Sequence, residues 1–225
     1  MLTPEIRSAY ISILREELVS ATGCTEPIAL AYAAARMRDI LGVMPDRIRA
    51  EISGNIIKNV KSVVVPNTSG LKGIRTAIAA GVVAGDASRV LQVIAKVPEE
   101  KRGGIAAYAA NTPIEIVCAD TTRLLDIKLT GWSGEHSSLV QIANSHSNIV
   151  REEKDGAILL NKPVTDSAED NLTDKSVLSV ADILEFANTA DLEEVAPLLR
   201  KQIACNTAIA EEGLRNRWGA NIGSV

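Results

Sequence analysis

The sequence predicts an α+β fold: a mostly antiparallel sheet packed with helices, followed by a C-terminal helical segment. Three observations carry that prediction. Helical patterns dominate residues 4–110, short alternating segments fill 114–160, and helical patterns return from 176. Inside the alternating stretch sits Asp155-Gly156, a strong hairpin signal because both central positions tolerate positive φ.

Pro4 opens a helix to about Ser20, with Ile6, Tyr10, Ile13, Leu14 and Leu18 along one side. A second helix runs from about Glu26 to Leu41 and stops at Gly42, after which D-R-I-R-A-E-I-S (46–53) alternates as a strand does. Residues 54–70 read as a short helical or irregular segment, an apolar run and a polar loop. Residues 71–84 and 88–97 are helical by pattern, and Pro98 begins another helix to about Ala110. I-E-I-V-C-A-D, D-I-K-L-T-G-W, S-S-L-V-Q-I-A and N-I-V-R-E-E-K are strand-like, and A-I-L-L follows the hairpin turn. Residues 162–175 read as a polar surface linker. Two helices finish the chain, from Ser176 to Thr189 and from Leu192 to about Trp218, and G-A-N-I-G-S-V reads as a loop leading onward. The expected domains are 1–165, α+β, and 166–225, the start of a helical domain.

Aromatic residues make up 3% of the 225 positions and the formal net charge is −4, which argues against a stacking surface or a basic footprint for nucleic acid. No window approaches the ~18 apolar residues of a membrane span, and M-L-T-P-E-I-R lacks the apolar core of a signal peptide. Cys24, Cys118 and Cys205 are too widely spaced for a zinc ribbon or a disulfide framework. The expectation is a cytoplasmic protein with three free thiols and no membrane or nucleic-acid partner.

Cys24 lies in A-T-G-C-T-E-P-I, at the mouth of the second helix. Thr25 can cap that helix and Pro27 suits its first turn, so free backbone N–H groups should lie near the sulfur. A thiol at such a place can have its pKa lowered to about 3.5–7.5 and act as nucleophile or base. The plain alternative is a small apolar residue that happens to precede a helix. Cys118 and Cys205 fall at core-compatible spacing and are expected in the core. In S-G-N-I-I-K-N-V-K, Asn55 and Asn59 are one turn apart and would share a helix side, with Lys58 and Lys61 nearby. The loop P-N-T-S-G adds Asn67 and Thr68 before another helix start, a fit for a small anionic ligand or, equally, an ordinary capped turn. His136 is expected to be exposed in a hairpin connection. His146, in N-S-H-S-N, is the better histidine for a ligand contact. Metalloprotease, Walker, dinucleotide and nucleophile-elbow signatures are missing.

Together A-T-G-C-T-E-P-I-A-L-A-Y-A-A, S-G-N-I-I-K-N-V-K-S-V-V-V-P-N-T-S-G-L-K-G, S-H-S-N-I-V-R-E-E-K-D-G and C-N-T-A-I-A-E-E-G-L resemble the L-cysteine desulfidase family, related to the iron–sulfur L-serine dehydratases. The resemblance implies a lyase that works without pyridoxal phosphate, eliminating sulfide or water from L-cysteine or L-serine to leave pyruvate and ammonia. It implies Cys24 as base, with Thr25, Asn55, Asn59, Asn67, Thr68 and His146 around the amino-acid substrate. In that family a 4Fe–4S cluster acts as Lewis acid and is held by cysteines of the second half. This chain resembles the N-terminal half, and its own cysteines match no cluster-ligand motif. The expectation is therefore no metal ligand here, no cluster bound by this chain alone, and a need for a second half or partner subunit, with self-association as a further expectation. Two other readings compete: a non-catalytic amino-acid-binding module, and a metal-free thiol enzyme such as a racemase or transferase.

Overall fold

A computed structural model describes residues 2–20, 23–164 and 173–216. It is an α+β protein with a six-stranded mixed sheet, and it divides into two compact units. One unit is residues 21–170. The other joins residues 1–20 to 171–225, so the first helix, read from sequence as part of the first domain, groups with the C-terminal helices.

The larger unit holds helices α2 (Thr25–Leu41), α3 (Gly54–Val60), α4 (Gly73–Ala84) and α5 (Glu99–Asn111). Its strands are β1 (Arg47–Ile52), β2 (Ile114–Cys118), β3 (Asp126–Ser133), β4 (His136–Ala143), β5 (Ile149–Lys154) and β6 (Ala157–Asn161). The order across the sheet is β2-β1-β3-β4-β5-β6, with β1 and β2 parallel and every other pair antiparallel. The parallel pair needs a crossover, and α3, α4 and α5 supply it. Asp155 and Gly156 turn from β5 into β6 with φ of 51° and 81°, as the turn residues require.

One face of the sheet is apolar. Ile48, Ala50 and Ile52 of β1 join Ile127, Leu129, Val140 and Ile142 under α2 in a single core. The alanines of α2 explain how that layer closes. A Cβ added to Gly81 of α4 would lie 2.1 Å from the Ala31 carbonyl oxygen, so only glycine lets α4 approach α2 this closely. Arg36 then clamps α2 to β5 through two hydrogen bonds to the Glu152 carboxylate, at 2.6 and 2.9 Å.

Two local expectations are corrected. Residues 88–97 are not one helix: a 3-10 turn over Ala87–Gln92 is broken at Val90, whose φ is 49°. The carbonyls of Ile94 and Ala95, which a helix would have used internally, accept instead from the Asn67 side chain. Nor are Cys118 and Cys205 in the core; both are exposed. Cys118 ends the edge strand β2, where only Ile114 is buried, and Cys205 lies on an uncovered stretch of the last helix.

The smaller unit contains α1 (Pro4–Glu17), α6 (Val180–Thr189) and α7 (Leu192–Arg215). Thr3, Ser179 and Asp191 cap them in turn. Tyr10, Ile11, Phe186 and Val195 form its small core, with the Tyr10 and Phe186 rings edge to face at 5.3 Å. Much of the expected linker (165–172), the expected end of the last helix near Trp218 and the closing G-A-N-I-G-S-V lie outside the described residues. Among the described residues no helix is long and apolar enough to cross a membrane.

Candidate functional site

Gly23, at φ 84°, turns the chain into α2 and sets Cys24 at the N-cap position. A Cβ on Gly23 would lie 3.2 Å from Pro66, so the P-N-T-S-G loop stands against the mouth of α2. The cysteine makes no side-chain cap to the helix backbone. Its thiol donates instead to Oε2 of Glu26, at 3.0 Å. The other oxygen of that carboxylate accepts from Asn59 Nδ2 at 3.2 Å, and the Thr25 hydroxyl lies 3.5 Å from Oε2. His146 is within electrostatic reach of the same carboxylate. Glu26 is thus the hub of a group made of Cys24, Thr25, Asn59 and His146.

The electrostatics correct the expected direction for Cys24. Partial burial of the sulfur, and next the hydrogen bond to Glu26, push the thiol above its ordinary value. Cys24 is exposed as a whole, and the Glu26 carboxylate is in direct contact with its sulfur. The backbone N–H of Glu26 acts in the opposite direction on the sulfur, and the net shift is upward. Glu26 moves the other way: the thiol donor holds it below its ordinary value, helped by Asn59 and His146. Burial lowers His146, with the Glu26 charge opposing. The resting pair is a neutral thiol on an ionised carboxylate.

Four of the predicted residues, Cys24, Thr25, Asn59 and His146, come together. The others do not join them by hydrogen bonds. Asn55 lies one turn earlier on α3, half-buried. Asn67 has φ 59° and spends its amide on Ile94 and Ala95. Thr68 is buried, and its hydroxyl donates to the Val65 carbonyl at 2.8 Å. Both shape the loop beside Cys24. His136 is exposed, paired with Asp155 at 3.1 Å. Sequence reading passed over Glu26, because an acid in a first helical turn is the ordinary complement of the dipole. The signal available was its place two residues after a cysteine at a helix mouth.

The sheet face away from α2 carries a concavity of about 600 Å³ with Glu51, Asp126, Lys128, Gln141 and Arg151 in its wall. Three charge pairs lie within it: Lys128 with Glu51 at 2.7 Å, Arg123 with Asp126 at 3.0 Å, and Arg151 with Glu153. Among the described residues no group of three or more His, Cys, Asp or Glu could hold a metal ion.

The chain is similar to UPF0597 proteins. One from Desulfitobacterium hafniense is 47% identical over 216 residues, covering 96% of this chain and 50% of that protein. Another, from Lachnoclostridium phytofermentans, is 49% identical over 215 residues, covering 96% and 51%. A third, from Treponema denticola, is 43% identical over 215 residues, covering 95% and 50%. The chain spans about half the length of the curated relatives it matches, and their names state no activity. No family model matches the chain, and no solved structure matches it.

Proposed function

We propose that this chain carries the substrate-side site of a cytoplasmic, PLP-independent lyase of the L-cysteine desulfidase and L-serine dehydratase type. It removes sulfide from L-cysteine, or water from L-serine, to give pyruvate and ammonia. The observation that carries the reading is the Cys24 thiol hydrogen-bonded to the Glu26 carboxylate at the opening of α2.

Elimination begins with a proton that is hard to remove, so the base must be positioned and must itself be relieved of a proton. The substrate α-proton passes to the Cys24 sulfur while the thiol proton passes to Glu26. The Cα–H electron pair forms the Cα=Cβ bond, and the Cβ–S or Cβ–O bond breaks with its pair leaving on sulfur or oxygen. The leaving group takes up a proton from solvent as hydrogen sulfide or water, and Glu26 releases to solvent the proton it received, which restores the resting pair. Aminoacrylate then tautomerises to the imine, which water hydrolyses to pyruvate and ammonia. This reading assigns the substrate carboxylate to Thr25 and the free N–H groups at the start of α2. Asn59 keeps Glu26 aimed at the sulfur. This reading assigns activation of the leaving group to none of the described residues, among which no group of three or more His, Cys, Asp or Glu could hold a metal ion. In this reading a second half or a partner subunit completes the enzyme.

The test is product formation by the intact D. hafniense relative under anaerobic conditions with iron and sulfide supplied. Pyruvate should form from L-cysteine or L-serine, and serine at the position aligned with Cys24 should abolish it. No pyruvate from either amino acid, or full activity in that variant, would contradict the reading.

A further inference from the structure

Helix α7 runs from Leu192 to Arg215, but only its beginning is covered. Val195 is buried and Leu199 packs partly against the small core with Tyr10 and Phe186. From Arg200 to Arg215 every residue except Gly213 is exposed. A helix end without tertiary packing is marginal in water, because propagation alone barely offsets the entropy of ordering it.

The exposed stretch is not polar all round. Ile203, Ala210 and Leu214 continue at helical spacing the side that Leu199 begins in the small core, with Ile203 at 62% and Leu214 at 63% exposure. Ile209, at 71%, adds apolar surface on another side. A one-sided stripe of that kind is what a helix presents to a packing partner. The relatives' similarity spans nearly all of this chain, and each carries about as much sequence again beyond the matched part. In the relatives that additional chain supplies a covalently tethered partner at high effective concentration.

We propose that the 200–215 stretch of α7 is an interaction surface for an apolar-faced helix from the half of the relatives' sequence that this chain does not span. Side chains spaced along one helix face fit the grooves of another helix, which is why the occupant is helical. This inference is independent of the chemistry assigned to Cys24.

Hydrogen–deuterium exchange on two intact proteins tests it: this chain, and the D. hafniense relative. Amides of 200–215 should exchange fast in this chain, and the aligned amides of the relative at least roughly a hundredfold more slowly. Glutamate at the relative's positions aligned with Ile203 and Leu214 should abolish that protection and leave its sheet protected. Equally fast exchange in the two wild-type proteins would overturn the proposal without need of the variants. So would slow exchange already present in this chain, whether it rises with concentration, as from a second copy, or does not, as from its own sheet-bearing unit.

Discussion

The Cys24 thiol donates to Glu26 Oε2 at 3.0 Å, and Asn59 holds the other oxygen of that carboxylate. A cysteine placed to become a thiolate at a helix start is instead pushed toward the protonated form by partial burial of its sulfur and by the acid two residues on. Alkylation of Cys24 by iodoacetamide should therefore be slow at neutral pH and rise only above the ordinary thiol range. Glu26→Gln removes the charge and frees the helix start to act, so the rate at pH 7 should increase. Peptide mass spectrometry separates Cys24 from the exposed Cys118 and Cys205. A wild-type Cys24 already fully reactive at pH 7 would contradict the pairing.

Burial depresses His146, with Glu26 opposing, so the unfolded chain takes up a proton near pH 6.5 and the folded chain only at lower pH. Between those values the unfolded state binds more protons, and stability falls as the pH drops. The loss begins below about pH 6.5 and is complete once the folded value is passed. Glu26, also depressed, adds a second loss as the pH falls from 4.5 through its folded value. Urea midpoints at about pH 7.5 and about pH 5.5 should differ in the wild type and differ less in His146→Gln. Equal pH dependence in the two proteins would remove His146 from the account.

The contact between α2 and α4 depends on Gly81, whose added Cβ would sit 2.1 Å from the Ala31 oxygen. Gly81→Ala should cost at least about 2 kcal/mol in urea unfolding, as overpacking does. Gly103→Ala, in α5 with open space around it, should instead stabilise by about 0.5–1 kcal/mol. A neutral Gly81→Ala would mean that the two helices can separate freely.

Thr68→Val keeps the shape and deletes the hydroxyl that serves the Val65 carbonyl. It should cost about 1–3 kcal/mol in urea unfolding. Calorimetry should find L-cysteine affinity unchanged apart from that loss of fold. Unchanged stability with lost affinity would move Thr68 from the loop's framework into the substrate pocket.

Most of the fold was legible because the periodicities are strong and the punctuation is chemical. Gly42 ends α2, with φ 87°, and Asp155-Gly156 turns β5 into β6. Residues 88–97 were misread because their apolar spacing suits a helix, while the Asn67 amide and the Val90 kink, both tertiary matters, decide otherwise. Cys118 was misread because spacing gives the face of a strand but not whether the edge is covered. At the site, Cys24 and Asn59 could be singled out from local patterns. Their meeting through Glu26 could not, since 33 positions separate Asn59 from Glu26. The direction of the thiol's shift was hidden for the same reason: a helix start is visible in sequence, whereas the rotamer that brings Glu26 onto the sulfur is not.

The proton on Cys24 can be observed directly by infrared spectroscopy of the S–H stretch, in a background with Cys118 and Cys205 replaced by serine. The account predicts an S–H band at pH 7 that disappears in Cys24→Ser and shifts in Glu26→Gln. A wild-type spectrum without that band at pH 7 would mean a resting thiolate, and would contradict the relay from substrate through Cys24 to Glu26.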